Sequence, residues 1–255
     1  MTDRRFLQII CVTAVLIATI CLKPVMATDA PSTADLEIAQ SLATMLQSAR
    51  AVISTHQTEI NDPDRGDKGL TGAKVVDEAI ANFKKATGKD PQAIDPASFE
   101  GRMLKAQLDS VVEVMDANQA TINAKGVAFK GFIPATFARL VNEAFERRVG
   151  TEATVKVTAP PELVRNRRAR PDEWEVAAIK NYLQKADWPR GKIYSGVDAK
   201  GGVNRVRVVV PEYYAASCMS CHGSPKGELD ITGYPKEGAH EGDLSGIISI
   251  GLTPQ

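Results

Sequence analysis

Residue types that build catalytic and metal centres are scarce in this chain. Its 255 residues include only four cysteines and three histidines. No Gly-x-Ser-x-Gly, His-Glu-x-x-His or phosphate-binding glycine loop occurs, so the sequence offers no familiar hydrolytic machinery. The formal net charge is zero, which gives no electrostatic reason to expect nucleic-acid binding. We therefore expect neither an enzyme with its own substrate turnover nor a nucleic-acid-binding protein.

The N-terminus has the organisation of a secretory signal. Arg4 and Arg5 precede an apolar run over residues 6–22, and small residues lead to Ala27. This pattern predicts export to the periplasm with cleavage after Ala27. The alternative is an uncleaved segment that anchors the protein in the inner membrane, facing the periplasm. Contact with a membrane is expected only in that second case.

Cleavage removes Cys11 and Cys21, so the mature chain keeps only Cys218 and Cys221. No further cysteine remains for a structural disulfide, although the compartment would permit one. A zinc site needs more ligands, and the mature chain has no second cysteine pair. The chemistry of the two remaining cysteines therefore depends on their immediate surroundings.

Those surroundings are Cys218-Met219-Ser220-Cys221-His222, the attachment signature of c-type haem. Two thiols at this spacing add across the two vinyl groups of the porphyrin, and the adjacent imidazole becomes the proximal iron ligand. A thioredoxin-like pair would instead open a helix after a buried strand, whereas this motif lies in a stretch dense in turn residues. We predict one covalently bound haem c, held by Cys218, Cys221 and His222.

Before the motif, apolar residues recur at helical spacing over residues 34–58, 73–87, 102–122 and 137–148. Shifting the sequence by 62 residues aligns 11 identical residues over 43 gapless positions, from Leu46 on Leu108 to Gly88 on Gly150. Each copy combines a long helix, a Gln-x-x-Ile-Asn turn, a Lys-Gly loop and a shorter helix. We expect a duplicated helical hairpin that is kept for packing rather than two equivalent ligand sites.

After Gly150 the pattern alternates with period two. Strands are predicted at 154–158, 193–197, 206–210 and 247–250, with a hairpin connection over 198–202 and a helix over 172–184. A small antiparallel sheet with helices packed on it is an α+β fold.

Several short stretches resemble a known family, namely Arg165-Asn166, Pro171 to Glu175, Cys218 to Gly223, Asp230 to Tyr234 and Gly242 to Ser249. The family comprises periplasmic c-haem domains with a PAS-like fold, catalogued as a domain of unknown function. It is known from a cyanobacterial haem protein and from the sensor domains of bacterial receptors. The similarity runs from about residue 102 to the C-terminus.

The resemblance implies a PAS-like antiparallel sheet flanked by long N-terminal helices. The expected segments are a signal peptide (1–27), an N-terminal helical repeat copy (28–101) and a PAS-like c-haem domain (102–255).

The sixth iron ligand is a departure from the family. In the cyanobacterial member it is a cysteine from an N-terminal helix, and this mature chain has no third cysteine. We consider His56, on the stripe of the first helix, as the candidate metal ligand. His240, a methionine (Met103, Met115 or Met219) and an open site remain alternatives.

Two further residues are predicted near the haem. Arg165 belongs to a basic cluster with Arg167, Arg168 and Arg170, most of which we expect to be solvated. The family motif includes Arg165, so we expect it to pair with a haem propionate. Tyr214 is expected to pack on the porphyrin.

These observations favour a mono-haem c-type cytochrome-like protein that transfers electrons to a redox partner protein or a membrane electron-transfer complex. The alternative is a periplasmic redox or gas sensor that acts through a partner signalling subunit. No kinase or methyl-accepting segment follows within the chain, so we expect the carrier.

Overall fold

The structure is a computed structural model that describes residues 30–198 and 204–253. The predicted signal peptide lies outside these residues, as do positions 199–202 of the predicted hairpin connection. None of the helices within the described ranges combines the length and the apolar character that crossing a bilayer requires.

Four longer helices and two short ones fill the N-terminal part of the described chain. They are α1 (Thr33–Thr55), α2 (Gln57–Ile60), α3 (Gly72–Thr87), α4 (Phe99–Ala117), α5 (Gln119–Ile122) and α6 (Pro134–Val149). Ser32 begins α1 with a capping box to Asp35, in which each side chain satisfies a backbone N–H of the other residue. Gly88 ends α3 with a φ of 70°, a left-handed conformation that glycine adopts without strain.

The two long predicted helices end earlier than the sequence pattern indicated. The backbone leaves helical geometry at His56 and at Asn118, and a short helix follows each break. The breaks have a packing reason, because each short helix starts with a glutamine that reaches the other copy. Gln57 donates to the carbonyl of Phe132, and Gln119 donates to the carbonyl of Leu70.

The two copies also exchange hydrogen bonds at their turns. Asn61 accepts from the backbone N–H of Lys130 at 3.3 Å, and Asn123 accepts from the backbone N–H of Lys68 at 3.0 Å. The Lys68 side chain is fully buried, and its ammonium donates to the carbonyl of Asp62 at 2.8 Å. Three of the recurring residue pairs therefore make hydrogen bonds between the copies, namely Gln57 and Gln119, Asn61 and Asn123, and Lys68 and Lys130. Their origin by duplication stays a prediction.

The second part contributes four strands and two short helices. They are β1 (Ala153–Thr158), α7 (Glu173–Ala178), β2 (Tyr194–Asp198), β3 (Arg205–Tyr213), α8 (Met219–His222) and β4 (Leu244–Leu252). The strands form one antiparallel sheet in the order β1-β4-β3-β2. The predicted mixed α+β class and the antiparallel sheet are confirmed, and all four strands lie where the alternating pattern indicated.

The core lies mainly between the sheet and the long helices. Val208 of β3 and Ile250 of β4 point into it, beside Leu42 of α1 and Phe137 of α6, which makes helices and sheet one continuous cluster. A smaller cluster on the opposite face joins α7 to β3 and β4. β4 is buried along most of its length because it lies between two strands and under a layer on each face.

Candidate functional site

The Cys218–His222 motif forms a tight turn at the end of β3. A single turn of 3-10 helix, Ala216–Cys218, leads directly into α8. Cys218 and Cys221 are both free thiols and half-buried. Gly223 closes the turn, where a Cβ atom would lie 2.6 Å from the carbonyl oxygen of Met219, so only glycine fits there. The turn brings two thiols and an imidazole together on one short piece of backbone.

The imidazole of His222 is held from one side. Its Nδ1 lies 2.8 Å from Oε2 of Glu237 and 3.4 Å from the hydroxyl of Tyr214. A carboxylate only accepts hydrogen bonds, so in the neutral imidazole the proton is on Nδ1 and the lone pair is on Nε2. Among the described residues no hydrogen-bond partner lies at Nε2, which leaves this nitrogen available as a ligand.

Tyr214 covers the ring of His222. The two ring centroids are 4.9 Å apart, and the backbone of Tyr214 is fixed by two bonds to the loop before β4. Burial and the negative charge of Glu237 raise the pKa of Tyr214 to about 12, so its hydroxyl stays protonated. The predicted contact of Tyr214 with a porphyrin stays a prediction, whereas its contact with His222 is observed.

Arg165 connects the loops around the motif. Its guanidinium donates to both oxygens of Glu237, at 2.8 and 2.9 Å, and to Oδ2 of Asp230 at 2.6 Å. It also donates to the carbonyl of Cys221 at 2.9 Å, which ties it to the motif itself. The predicted bond to a propionate stays a prediction, because the structure uses these donors to hold Glu237, Asp230 and Cys221 together. The other three arginines of the basic cluster are exposed, as expected.

The carboxylates bound to Arg165 stay ionised. Burial alone would raise the pKa of Glu237, but hydrogen bonds from Arg165 and His222 outweigh it and lower the pKa overall. The pKa of Asp230 is lowered in the same way, since hydrogen bonds from Thr232 and Arg165 outweigh its burial. The loop after the motif thus keeps its negative charges next to His222.

Helix α1 approaches the motif from the other layer. The Oγ of Ser54 lies 3.5 Å from the Oγ of Ser217, the residue before Cys218. One turn earlier, Nη1 of Arg50 donates to both oxygens of Glu212 at 2.7 Å. Arg50 is close enough to Cys218 to interact with it electrostatically. Its Nε atom is buried and has no hydrogen-bond partner among the described residues.

These contacts fit the haem that the motif implies. The site holds two free thiols, and no described residue bonds to Nε2 of His222 or to the buried Nε–H of Arg50. The haem carries carboxylates, and arginine is well suited to bind a carboxylate. The residues present would thus supply covalent attachment, a proximal ligand and a propionate contact.

The candidates for the sixth position lie in different places. His56 contacts Glu59 through Nδ1 at 2.8 Å and Glu78 through Nε2 at 3.0 Å, so one of the two carboxylates must release its nitrogen before the ring can bind a metal. The structure brings His56 to these two residues and not to His222. His240 is exposed and lies 3.5 Å from Asp243. Met103 and Met115 are buried in the core, and Met219 is half-buried in α8. The sixth ligand stays open among the predicted alternatives.

Sequence reasoning missed three residues of this site, namely Glu237, Arg50 and Glu212. Glu237 lies in a polar loop, and nothing in its spacing from His222 indicates contact. Arg50 did leave a signal, because its counterpart in the second copy is the apolar Val112. A charged residue that departs from a packing repeat indicates a local partner, here Glu212 at the end of β3.

Comparison with known proteins places the chain in a family. No curated protein and no solved structure matches it significantly. The model of the Tll0287-like family matches residues 29–253, which include both helical copies, the sheet and the motif. The expected similarity began only at about residue 102, so the match extends further toward the N-terminus. Because it covers most of the sequence, the chain belongs to the Tll0287-like family.

Proposed function

We propose that this protein is an exported mono-haem c-type cytochrome-like protein that transfers electrons. Cys218 and Cys221 attach the haem covalently, and Nε2 of His222 is the proximal ligand. The observation that carries the proposal is the arrangement of His222, whose Nδ1 is held by Glu237 while no described residue bonds to Nε2, on the same turn as two free thiols. When bound, the haem supplies reversible one-electron chemistry.

The residues around the motif have distinct roles in this proposal. Arg165 fixes the attachment turn through the carbonyl of Cys221. Tyr214 covers the imidazole and keeps it from rotating. Arg50 offers its buried Nε to a haem carboxylate while Glu212 holds its Nη1 atom. None of these groups needs to exchange protons with a substrate, so the proposal includes no catalytic turnover.

The proposal also includes a location and a partner. Export through residues 1–27 suits c-type attachment, which is completed outside the cytoplasm. We propose a PAS-like arrangement for the antiparallel sheet, as the resemblance implies. The electron partner is a redox protein or a membrane electron-transfer complex.

A haem-stained denaturing gel of the periplasmic fraction tests the proposal. The chain is expressed together with a haem c attachment system, and a stained band that survives boiling in detergent is expected. The Cys218→Ser/Cys221→Ser double variant should lose the stain. Ser220→Ala, a change of an exposed residue within the same turn, should keep it. A stain that disappears from the wild type on boiling, or that persists in the double variant, would show that attachment through these residues is wrong.

A further inference from the structure

The three histidines of this chain differ in how their nitrogens are engaged. Both nitrogens of His56 contact glutamates, and His240 is solvent-exposed beside Asp243. Among the described residues, His222 combines a carboxylate 2.8 Å from Nδ1 with an Nε2 that has no hydrogen-bond partner. His240 also has a carboxylate at Nδ1, but at 3.5 Å and on a side chain that is 82% exposed. The arrangement at His222 is that of a metal-bound histidine with a second residue behind it, which fixes the tautomer and the ring orientation.

The backbone fixes the position of Glu237. On one side, the N–H of Lys236 donates to the carbonyl of Glu228 at 2.8 Å. On the other side, the N–H of Ala239 donates to the carbonyl of His222 at 2.9 Å. The loop that carries Glu237 is therefore bonded directly to the residue that its side chain contacts. A chance surface pair has no such backbone support.

The side chain of Glu237 is held equally firmly. Arg165 binds both of its oxygens in a fork, a geometry that adds strength and directional specificity. The exposed fractions of the side chains are 17% for Glu237 and 19% for Arg165, so water competes only weakly for these bonds. Asp230 holds the guanidinium from the far side at 2.6 Å. The groups that face the imidazole are thus Glu237 and Tyr214, with Arg165 directly behind Glu237.

We propose that Glu237 is a positioning residue for His222 that lowers the reduction potential of the bound iron. This proposal rests on the proposed function, since it requires His222 to be an iron ligand. By accepting a hydrogen bond from Nδ1–H, the Glu237 carboxylate increases the electron density of the imidazole. An imidazole that donates more strongly through Nε2 stabilises the ferric form relative to the ferrous form. Arg165 keeps the carboxylate aligned and does not itself contact the ring.

Glu237→Gln in the full-length holoprotein is the direct test. Glutamine has nearly the same shape and keeps an oxygen acceptor, but it removes the negative charge. The midpoint potential should rise, by about 59 mV for each tenfold loss of preference for the ferric form. The iron–histidine stretching frequency of the ferrous protein, measured by resonance Raman spectroscopy, should fall. A residue that serves only to stabilise the loop would change neither quantity.

Glu228→Gln is the matched control. Glu228 lies in the same loop and carries the same charge, but it pairs with Lys236 and does not contact His222. It should leave both the potential and the stretching frequency close to those of the wild type. An equal rise in both variants would assign the effect to loss of charge in general and would overturn the proposal.

The haem content of each variant separates this inference from the proposed function. If Glu237→Gln retains covalent haem with an unchanged potential and stretching frequency, the inference is wrong and the proposed function stands. If the wild type carries no covalent haem, the proposed function itself fails. Should Glu237→Gln yield no holoprotein, Glu237→Asp is measured instead. Its shorter side chain keeps the charge but must lengthen the bond, so a potential equal to that of the wild type would equally overturn the inference.

Discussion

Two arginines near the motif show how the same residue type takes different roles. Arg165 directs its donors at two carboxylates and a carbonyl. Arg50 donates from Nη1 to Glu212, whereas its buried Nε has no partner in the part of the chain that the structure describes. Arg165 therefore has the contacts expected of a structural connector. Arg50 instead has a buried donor that no described residue satisfies, which is why we propose it as the contact of a haem carboxylate.

The pair formed by Arg50 and Glu212 allows a quantitative prediction. It joins α1 to the end of β3, and both side chains are less than a quarter exposed. Arg50→Met leaves the carboxylate of Glu212 without this partner and should lower the free energy of unfolding by about 1–3 kcal/mol. Urea denaturation of Arg50→Met, Glu212→Gln and the double variant measures this loss and the coupling between the residues. We expect a coupling energy of about 0.5–3 kcal/mol, and strictly additive losses would contradict a direct interaction.

At the residue scale, the sequence predicted those site residues whose role depends on their spacing along the chain. Cys218, Cys221 and His222 were identifiable as a candidate site because haem attachment needs thiols and imidazole within five consecutive residues, and their role in attachment stays a prediction. Glu237 and Glu212 were not, because each contact with its partner depends on how loops and layers pack. The engagement of both His56 nitrogens by Glu59 and Glu78 was equally invisible, since the helix register alone showed an apolar stripe.

Among the elements, the turn over Asp230–Tyr234 has the densest set of hydrogen bonds near the motif. Oδ1 of Asp230 accepts from the backbone N–H and the hydroxyl of Thr232 and from the backbone N–H of Tyr234. Oδ2 accepts from Arg165. The family motif over these residues is therefore explained by a turn that holds Arg165, and through it Glu237, next to His222.

This turn predicts a pH dependence of stability. The pKa of Asp230 in the folded protein lies below its ordinary value of 3.8, so the folded state keeps the carboxylate charged where the unfolded chain protonates it. The stabilisation of the fold by this carboxylate is fully present above the pKa that Asp230 has in the unfolded chain. It is lost as the pH falls toward and through the lower pKa that Asp230 has in the folded protein. Asp230→Asn should lower the free energy of unfolding near neutral pH by about 1–3 kcal/mol, since an amide donor then faces Arg165.

The difference between the wild type and Asp230→Asn should shrink under acid conditions. Urea denaturation near neutral pH and at about pH 3 measures it. Asp187→Asn, a change of an exposed aspartate outside this turn, serves as the control and should follow the wild type at both values. A constant difference across this range would show that the charge of Asp230 does not stabilise the fold.

Most other elements were predictable to within a few residues. An exception is the helix predicted over 172–184, because α7 ends at Ala178 and a single π-helical turn, Ile179–Leu183, follows it. Caps and left-handed glycines mark their ends, as at Gly88, and alternation marks the strands. The family stretch Pro171 to Glu175 proves to be a capping box, in which Asp172 and Glu175 begin α7. Glu175 is almost completely buried and also bonds to Lys156 and Arg207, so it fixes α7 on the sheet. The breaks at His56 and Asn118 were missed because they depend on contacts between the two copies.

Across the whole molecule, strand order depends on contacts that are distant in sequence. The last strand, β4, lies between β1 and β3, and its pairing with β1 joins residues about a hundred positions apart. Periodicity predicts that a strand exists but gives no information about its neighbours. Periodicity likewise gives no information about which helices pack on the sheet. The N-terminal copy seemed an addition to a smaller domain in sequence, yet α1 packs directly on β3 and β4.

This packing leads to a prediction about cooperativity. Buried residues of α1 and α3 belong to the same cluster as those of α4, α6 and the sheet, so the helices and the sheet should unfold together. Far-UV circular dichroism reports mainly on the helices. The fluorescence of Trp174 and Trp188 reports on the opposite face of the sheet, where both residues pack near Tyr194. The two signals should give the same urea midpoint.

If the helical signal changes first while the fluorescence stays native, residues 28–101 form a separate unit, as the sequence division at residue 102 implies. Coincident midpoints would instead mean that α1 and the sheet carrying the motif are stable only together, which is the arrangement that holds Arg50 beside Cys218.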